Sequence, residues 1–221
     1  ANDAPVVSIT APANNAVYSA PASVTINASV TIGSGTVTKV EFYNGTTKLG
    51  EDTSSPYSYT WTNVSAGSYS IRAVATSSSN KTGEAAVSIK VNPPRGPYLG
   101  TVWAIPGTIQ FENYDVGGNG VAYLDNTPGT AVSPAPDFRT DEDVDIENCT
   151  DTGNGYNIGY GTAGEWLEYT VNVASAGLYN LTLRVACNGD GRTLTVQAKG
   201  VTIANNVAIP NTAGWQTWAD V

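Results

Sequence analysis

The chain of 221 residues contains no histidine and no methionine, and only two cysteines. Without an imidazole there is no Ser-His-Asp or Cys-His nucleophile system and no histidine-ligated zinc. Two thiols, Cys149 and Cys187, fall short of a four-sulfur metal site. They are compatible with one disulfide in an oxidising compartment or with two free buried thiols. Charge is scarce as well: charged residues make up 13%, with 10 Lys and Arg against 19 Asp and Glu, for a net charge of −9. That balance argues against nucleic acid, which demands clustered cations, and against an anionic membrane surface. It suits neutral partners and a hard cation such as calcium. No apolar run approaches the roughly 18 residues of a transmembrane helix. Runs of Ala, Leu, Glu and Lys that would build long helices are missing. Neither a signal peptide nor an initiator methionine is present, so the chain is expected to be a processed or excised piece of a secreted, extracellular protein.

What is present points one way. Thr and Val favour half-buried pleated strands, and the 23 glycines and 12 prolines, with many Asn, favour turns. The expected fold class is all-β. Residues 1–92 hold short alternating segments at 6–10, 23–32, 38–43, 57–61, 68–76 and 86–91. In residues 23–32, Val24, Ile26, Ala28 and Val30 share one face, because side chains alternate along a strand. Asn44-Gly45 suits a type I′ hairpin with two positive φ angles. Strands at this spacing predict a sandwich. Asn92-Pro93-Pro94-Arg95-Gly96-Pro97 breaks the pattern, since proline blocks ladder hydrogen bonds and stiffens the chain. A linker is expected over 93–103 and a second domain over 104–221. Strand-like runs there cover 108–112, 144–147, 166–173, 178–186, 193–198 and 215–221, with a Gly-, Pro- and Asp-rich loop between Asn113 and Asp141.

Two resemblances follow from motifs in order. Val40-Glu41-Phe42-Tyr43-Asn44-Gly45 and Ala66-Gly67-Ser68-Tyr69-Ser70-Ile71-Arg72-Ala73-Val74-Ala75 resemble bacterial immunoglobulin-like modules of extracellular hydrolases. Trp61 and Tyr69 read there as core residues. In the second segment, Ile109-Gln110-Phe111-Glu112-Asn113-Tyr114-Asp115 and Phe138-Arg139-Thr140-Asp141-Glu142-Asp143-Val144-Asp145-Ile146 come first. Asp151-Thr152-Gly153-Asn154-Gly155-Tyr156-Asn157-Ile158-Gly159-Tyr160, Gly164-Glu165-Trp166-Leu167-Glu168-Tyr169, Ala176-Gly177-Leu178-Tyr179 and Gly214-Trp215-Gln216-Thr217-Trp218 follow. Together they resemble family 6 carbohydrate-binding modules.

The resemblance implies a jelly-roll sandwich with a sugar site in the loops at one edge. Tyr160 and Trp215 would be two rings sandwiching a sugar, and Glu147 would accept its hydroxyl hydrogen bonds. Trp166 is a weaker candidate for a second cleft, with burial in the sandwich as the competing reading; Trp218 reads as core. The resemblance also implies a structural calcium site drawing on Gln110 and Glu112, which sit two apart and would point the same way on one strand. It further implies one or two strands beyond Trp218, supplying an Asn to the edge site and an acidic calcium ligand, so a C-terminally truncated jelly roll is expected. The cluster Asp141, Glu142, Asp143 and Asp145 is no EF-hand: counted from Asp141, the required Gly and Glu positions hold Ile146 and Thr152. It reads as a solvated acidic loop.

Catalysis finds no support. Glycosidases need two carboxyls facing one cleft, and Glu165 and Glu168, an odd number apart on a strand, face opposite sides. The expected function is non-catalytic binding of a plant or algal polysaccharide, holding the catalytic domain of a parent glycoside hydrolase on its substrate, with the first domain as spacer. A structural or adhesion stalk is the alternative, and exposure of Tyr160 and Trp215 separates the two.

Overall fold

Alternation along residues 22–31 puts Ala22, Val24, Ile26 and Ala28 on one face. The computed structural model, which describes residues 3–127 and 129–221, buries all four. The chain divides into two compact units. One runs to Gly96 and takes in Val116–Ala122; the other comprises Pro97–Asp115 and Tyr123–Val221.

The first unit contains β1 (Val6–Ala11), β2 (Ala16–Ser19), β3 (Ala22–Thr31), β4 (Val37–Asn44), β5 (Thr47–Asp52), β6 (Tyr57–Val64), β7 (Gly67–Ser77) and β8 (Thr82–Asn92). They form a three-stranded sheet, β1-β3-β6, and a five-stranded sheet, β2-β8-β7-β4-β5. Among the described residues of this unit, only the β2–β8 pairing is parallel. The inward faces supply one core: Val24 and Ile26 of β3 meet Val40 and Phe42 of β4, Ile71 and Ala73 of β7, and Ile89 and Val91 of β8. Each large apolar side chain so buried contributes roughly 1.5–3 kcal/mol. Trp61 and Tyr69, half-buried, pack edge to face at 5.0 Å against that core.

The hairpin between β4 and β5 differs from the type I′ expectation. Its two-residue loop is Gly45-Thr46, and of these only Gly45 has positive φ (56°). Glycine alone at the first central position is the type II′ pattern.

The second unit contains β9 (Trp103–Ile105), β10 (Tyr123–Leu124), β11 (Ile146–Asn148), β12 (Tyr156–Ile158), β13 (Trp166–Leu167), β14 (Val171–Val173), β15 (Arg184–Cys187), β16 (Arg192–Ala198), β17 (Val201–Ile209) and β18 (Gly214–Asp220). Among the described residues these strands pair two at a time: β9 parallel with β14, and β10–β13, β11–β12, β15–β18 and β16–β17 antiparallel.

A buried arginine organises this unit where apolar residues organise the first. The Arg139 side chain is 3% exposed and its Nε donates to Glu142 at 2.5 Å. Its other nitrogens donate to the carbonyls of Glu112 (3.3 Å), Tyr114 and Asp115 (3.2 Å). The guanidinium also lies 3.5 Å from the ring centre of Tyr114 and 4.5 Å from that of Tyr98, which falls within the stretch expected as linker. A charge this deep is tolerated because carbonyls, a carboxylate and ring faces satisfy it.

The acidic loop is not solvated as expected. Asp143 and Asp145 accept the backbone N–H groups of Gly129 and Ala131, at 3.2 and 2.5 Å, and Asp145 is buried. Asp115 similarly takes both the backbone N–H and the hydroxyl of Thr170, at 2.9 and 2.6 Å. These carboxylates hold the long loop in place by capping amides that lack ladder partners. Asp141 alone of the cluster is exposed.

Candidate functional site

The β11–β12 ladder sets Glu147 opposite Asn157. The Asn157 amide donates to the Glu147 carboxylate at 3.2 Å, and the Gln216 amide donates to Asn157 at 3.0 Å and to Glu147 at 3.4 Å. Gln216 in turn accepts the backbone N–H and hydroxyl of Thr150, at 3.0 and 3.1 Å. Each amide therefore has its partners, and Glu147 keeps acceptor capacity on a carboxylate that is only half-buried.

Gln216 is the neighbour of Trp215. On the other side, the Glu147 carboxylate lies over the α-carbon of Gly159, the neighbour of Tyr160. A Cβ at Gly159 would stand 2.8 Å from its oxygen, so a side chain there would push the carboxylate aside. The segments carrying both predicted rings thus meet at the predicted carboxylate. Tyr160 is 58% exposed and Trp215 is 54% exposed, neither being buried in the core.

Tyr160 holds φ at 49°, a left-handed backbone that a bulky residue adopts only when its surroundings impose it. Glu165 closes the loop that follows Tyr160. Its carboxylate accepts the Thr162 backbone N–H at 2.6 Å, the Thr162 hydroxyl at 2.9 Å and the Asn126 backbone N–H at 3.1 Å. Burial raises the Glu165 pKa, and these hydrogen bonds outweigh it, leaving the carboxyl below its ordinary value. Trp166 sits opposite Leu124 in the β10–β13 pair and is 37% exposed rather than buried in the sandwich. Trp218, expected in the core, is half-buried opposite Ala186.

The expected metal pair is arranged differently from the expectation. Residues 108–112 form no strand: Phe111–Asn113 is a 3-10 turn with Gln110 at its cap. Gln110 is exposed and Glu112 is buried, so the two do not share a face. Burial pushes the Glu112 carboxyl above its usual range, and no cation pairs with it among the described residues. Among those residues there is no group of three metal-ligating His, Cys, Asp or Glu side chains. Cys149 and Cys187 are both free thiols.

Sequence reasoning missed Asn157 and Gln216, although both lie inside the motifs quoted, because a linking amide leaves no periodic signal. It also missed Arg192, whose guanidinium lies 5.4 Å from the Trp215 ring centre.

Two stretches of the chain match known families. Residues 5–73 match the family model described as bacterial Ig domain, and residues 134–221 match the carbohydrate binding module (family 6). The chain carries a bacterial Ig domain followed by a family 6 carbohydrate-binding module. Glu147, Tyr160, Trp166 and Trp215 lie within the second match; Gln110 and Glu112 lie before it. A beta-agarase, AgaA of Microbulbifer thermotolerans, is 40% identical over 68 residues, 29% of this chain and 15% of the agarase. The clotting factor G alpha subunit of Tachypleus tridentatus is 30% identical over 80 residues, 35% of this chain and 12% of that subunit. The chain thus spans a small part of the curated relatives it matches. Among solved structures, the fibronectin(III)-like modules of Clostridium thermocellum CbhA are 33% identical, covering 39% of this chain and 94% of that one, with a TM-score of 0.38.

Proposed function

We propose that the second domain binds a plant or algal cell-wall polysaccharide between Tyr160 and Trp215, with Glu147 accepting sugar hydroxyls. In this reading it holds a secreted glycoside hydrolase on its substrate while the first domain acts as spacer. The observation that carries the reading is that the segments bearing two exposed rings meet at one half-buried carboxylate. A pyranose presents patches of C–H bonds, for which a flat aromatic face is a rigid apolar partner. A carboxylate accepts two hydroxyl hydrogen bonds at once. Such an open site binds modestly, and repetition along a polymer with tethering raises the effective affinity. The stretch shared with a beta-agarase favours an algal galactan and a hydrolase as the parent protein. Both matched families are non-catalytic modules.

A structural calcium ion would take Glu112 as its carboxylate, since a buried carboxyl without a cation is disfavoured until one arrives. Gln110 would contribute only through its exposed amide oxygen.

Affinity electrophoresis against soluble polysaccharides, with and without calcium, tests the proposal. Retardation by one glycan class is expected, lost in Trp215→Ala at unchanged thermal stability. Retained binding by that stably folded variant overturns the site, and no retardation on any gel favours the stalk reading. If calcium is structural, it raises the melting temperature of the wild type and leaves Glu112→Gln unmoved.

A further inference from the structure

The second unit has three arginines, and two of them hold carboxylates. Arg139 pairs with Glu142, and Arg184 grips Asp151 through two nitrogens, at 2.7 and 2.9 Å, while reaching Asp220 at 3.2 Å. Arg192 is different. It is exposed, it pairs with no carboxylate among the described residues, and its guanidinium rests over the ring of Trp215. In a chain with nine more negative than positive charges, an arginine left to a tryptophan face stands out. The stacking holds the guanidinium against the ring, and its planar fork of donors matches the oxygens of a carboxylate or sulfate. The acidic chain as a whole repels polyanions, so any attraction for them arises locally.

We infer that the Trp215 platform prefers polysaccharides whose sugar rings carry an oxyanion substituent, a sulfate ester or a uronate carboxylate. The ring stacks on Trp215 and Arg192 holds the oxyanion. This rests on the sugar-site reading above and names its ligand class.

Tryptophan-fluorescence titration of the full chain tests it with length-matched oligosaccharides in two pairs. One pair is a neutral galactan and the same backbone bearing sulfate esters; the other is a neutral xylan fragment and one bearing glucuronate. The anionic member that matches the site is expected to bind about fivefold more tightly than its neutral partner at low salt, and less so at high salt. Arg192→Gln erases that difference while keeping neutral binding and the melting temperature. Which pair shows the preference tells sulfate from carboxylate. Equal binding within both pairs overturns the inference and leaves the sugar site standing. Tighter neutral binding by Arg192→Gln also overturns it, since the arginine then merely shields the ring. Binding of none of the four overturns both readings together.

Discussion

The same five-residue turn occurs once in each domain. Ser65-Ala66-Gly67-Ser68-Tyr69 and Ser175-Ala176-Gly177-Leu178-Tyr179 both send the tyrosine hydroxyl back to the carbonyl of their first serine, at 2.8 and 2.5 Å. In both, the serine hydroxyl also faces the phenol, at 3.0 and 3.4 Å. Beyond these bonds the two part company. Tyr69 lies in β7, flanked by β4 and β8, with its ring against Trp61. Tyr179 belongs to an exposed stretch outside the strands, where Leu178 is 104% exposed and Leu181 is exposed as well. The turn is written locally, in a serine four residues before a tyrosine. Burial is written in neighbouring strands, and there the two domains differ.

Substitutions can sharpen that contrast, beginning with the residue each domain is built around. Phe42→Ala empties the centre of the first core and is expected to cost about 3–5 kcal/mol. Arg139→Ala strands Glu142 and three carbonyls in the second domain, for a similar loss of about 3–5 kcal/mol. Urea denaturation followed by tryptophan fluorescence reads both, and a loss under about 1 kcal/mol for Arg139→Ala would refute its organising role. Next come the turns themselves. Tyr69→Phe is expected to cost about 1 kcal/mol, and Tyr179→Phe less, because water replaces the lost partner of an exposed hydroxyl. Equal losses would show that the surroundings do not matter.

The Arg184 pair gives a pH signature for the second domain alone. The Arg184 guanidinium holds the Asp151 carboxyl down to about 2. A depressed carboxyl stabilises the fold above its unfolded value, about 3.9, and that contribution is lost as pH falls through the folded value. Asp151→Asn is therefore expected to melt lower than the wild type at neutral pH, with the gap narrowing below about pH 4 and closing only below about pH 2. The smallest effect is expected at Leu178→Ala, near zero in stability, since the side chain touches little that folding brings to it.

Much of the first domain is legible in its sequence because its strands are long, alternate cleanly and bury one face, as β3 and β7 do. The two strands missed there carry no such pattern. β2 is four residues long, and β5 reads Thr-Lys-Leu-Gly-Glu-Asp, an edge strand with a lysine bound to Glu41 and Glu51 at 2.6 and 2.7 Å. In the second domain order comes from side chains capping loop amides, which periodicity does not report. That is why residues 108–112 read as a strand yet form a turn, and why the acidic cluster reads as solvated yet accepts backbone N–H groups. Motif order rather than periodicity singles out the two rings and Glu147. Their linking amides, Asn157 and Gln216, come to light only in three dimensions.

The left-handed backbone of Tyr160 has a thermodynamic consequence. Holding a bulky residue there costs roughly 1–3 kcal/mol, a cost charged to folding. In the sugar-site reading proposed above, the ring is preorganised, and a sugar arriving at it does not also have to order the loop. Recognition in such a loop is gained at the expense of stability, and a substitution that relaxes the strain would make the domain sturdier and the site floppier.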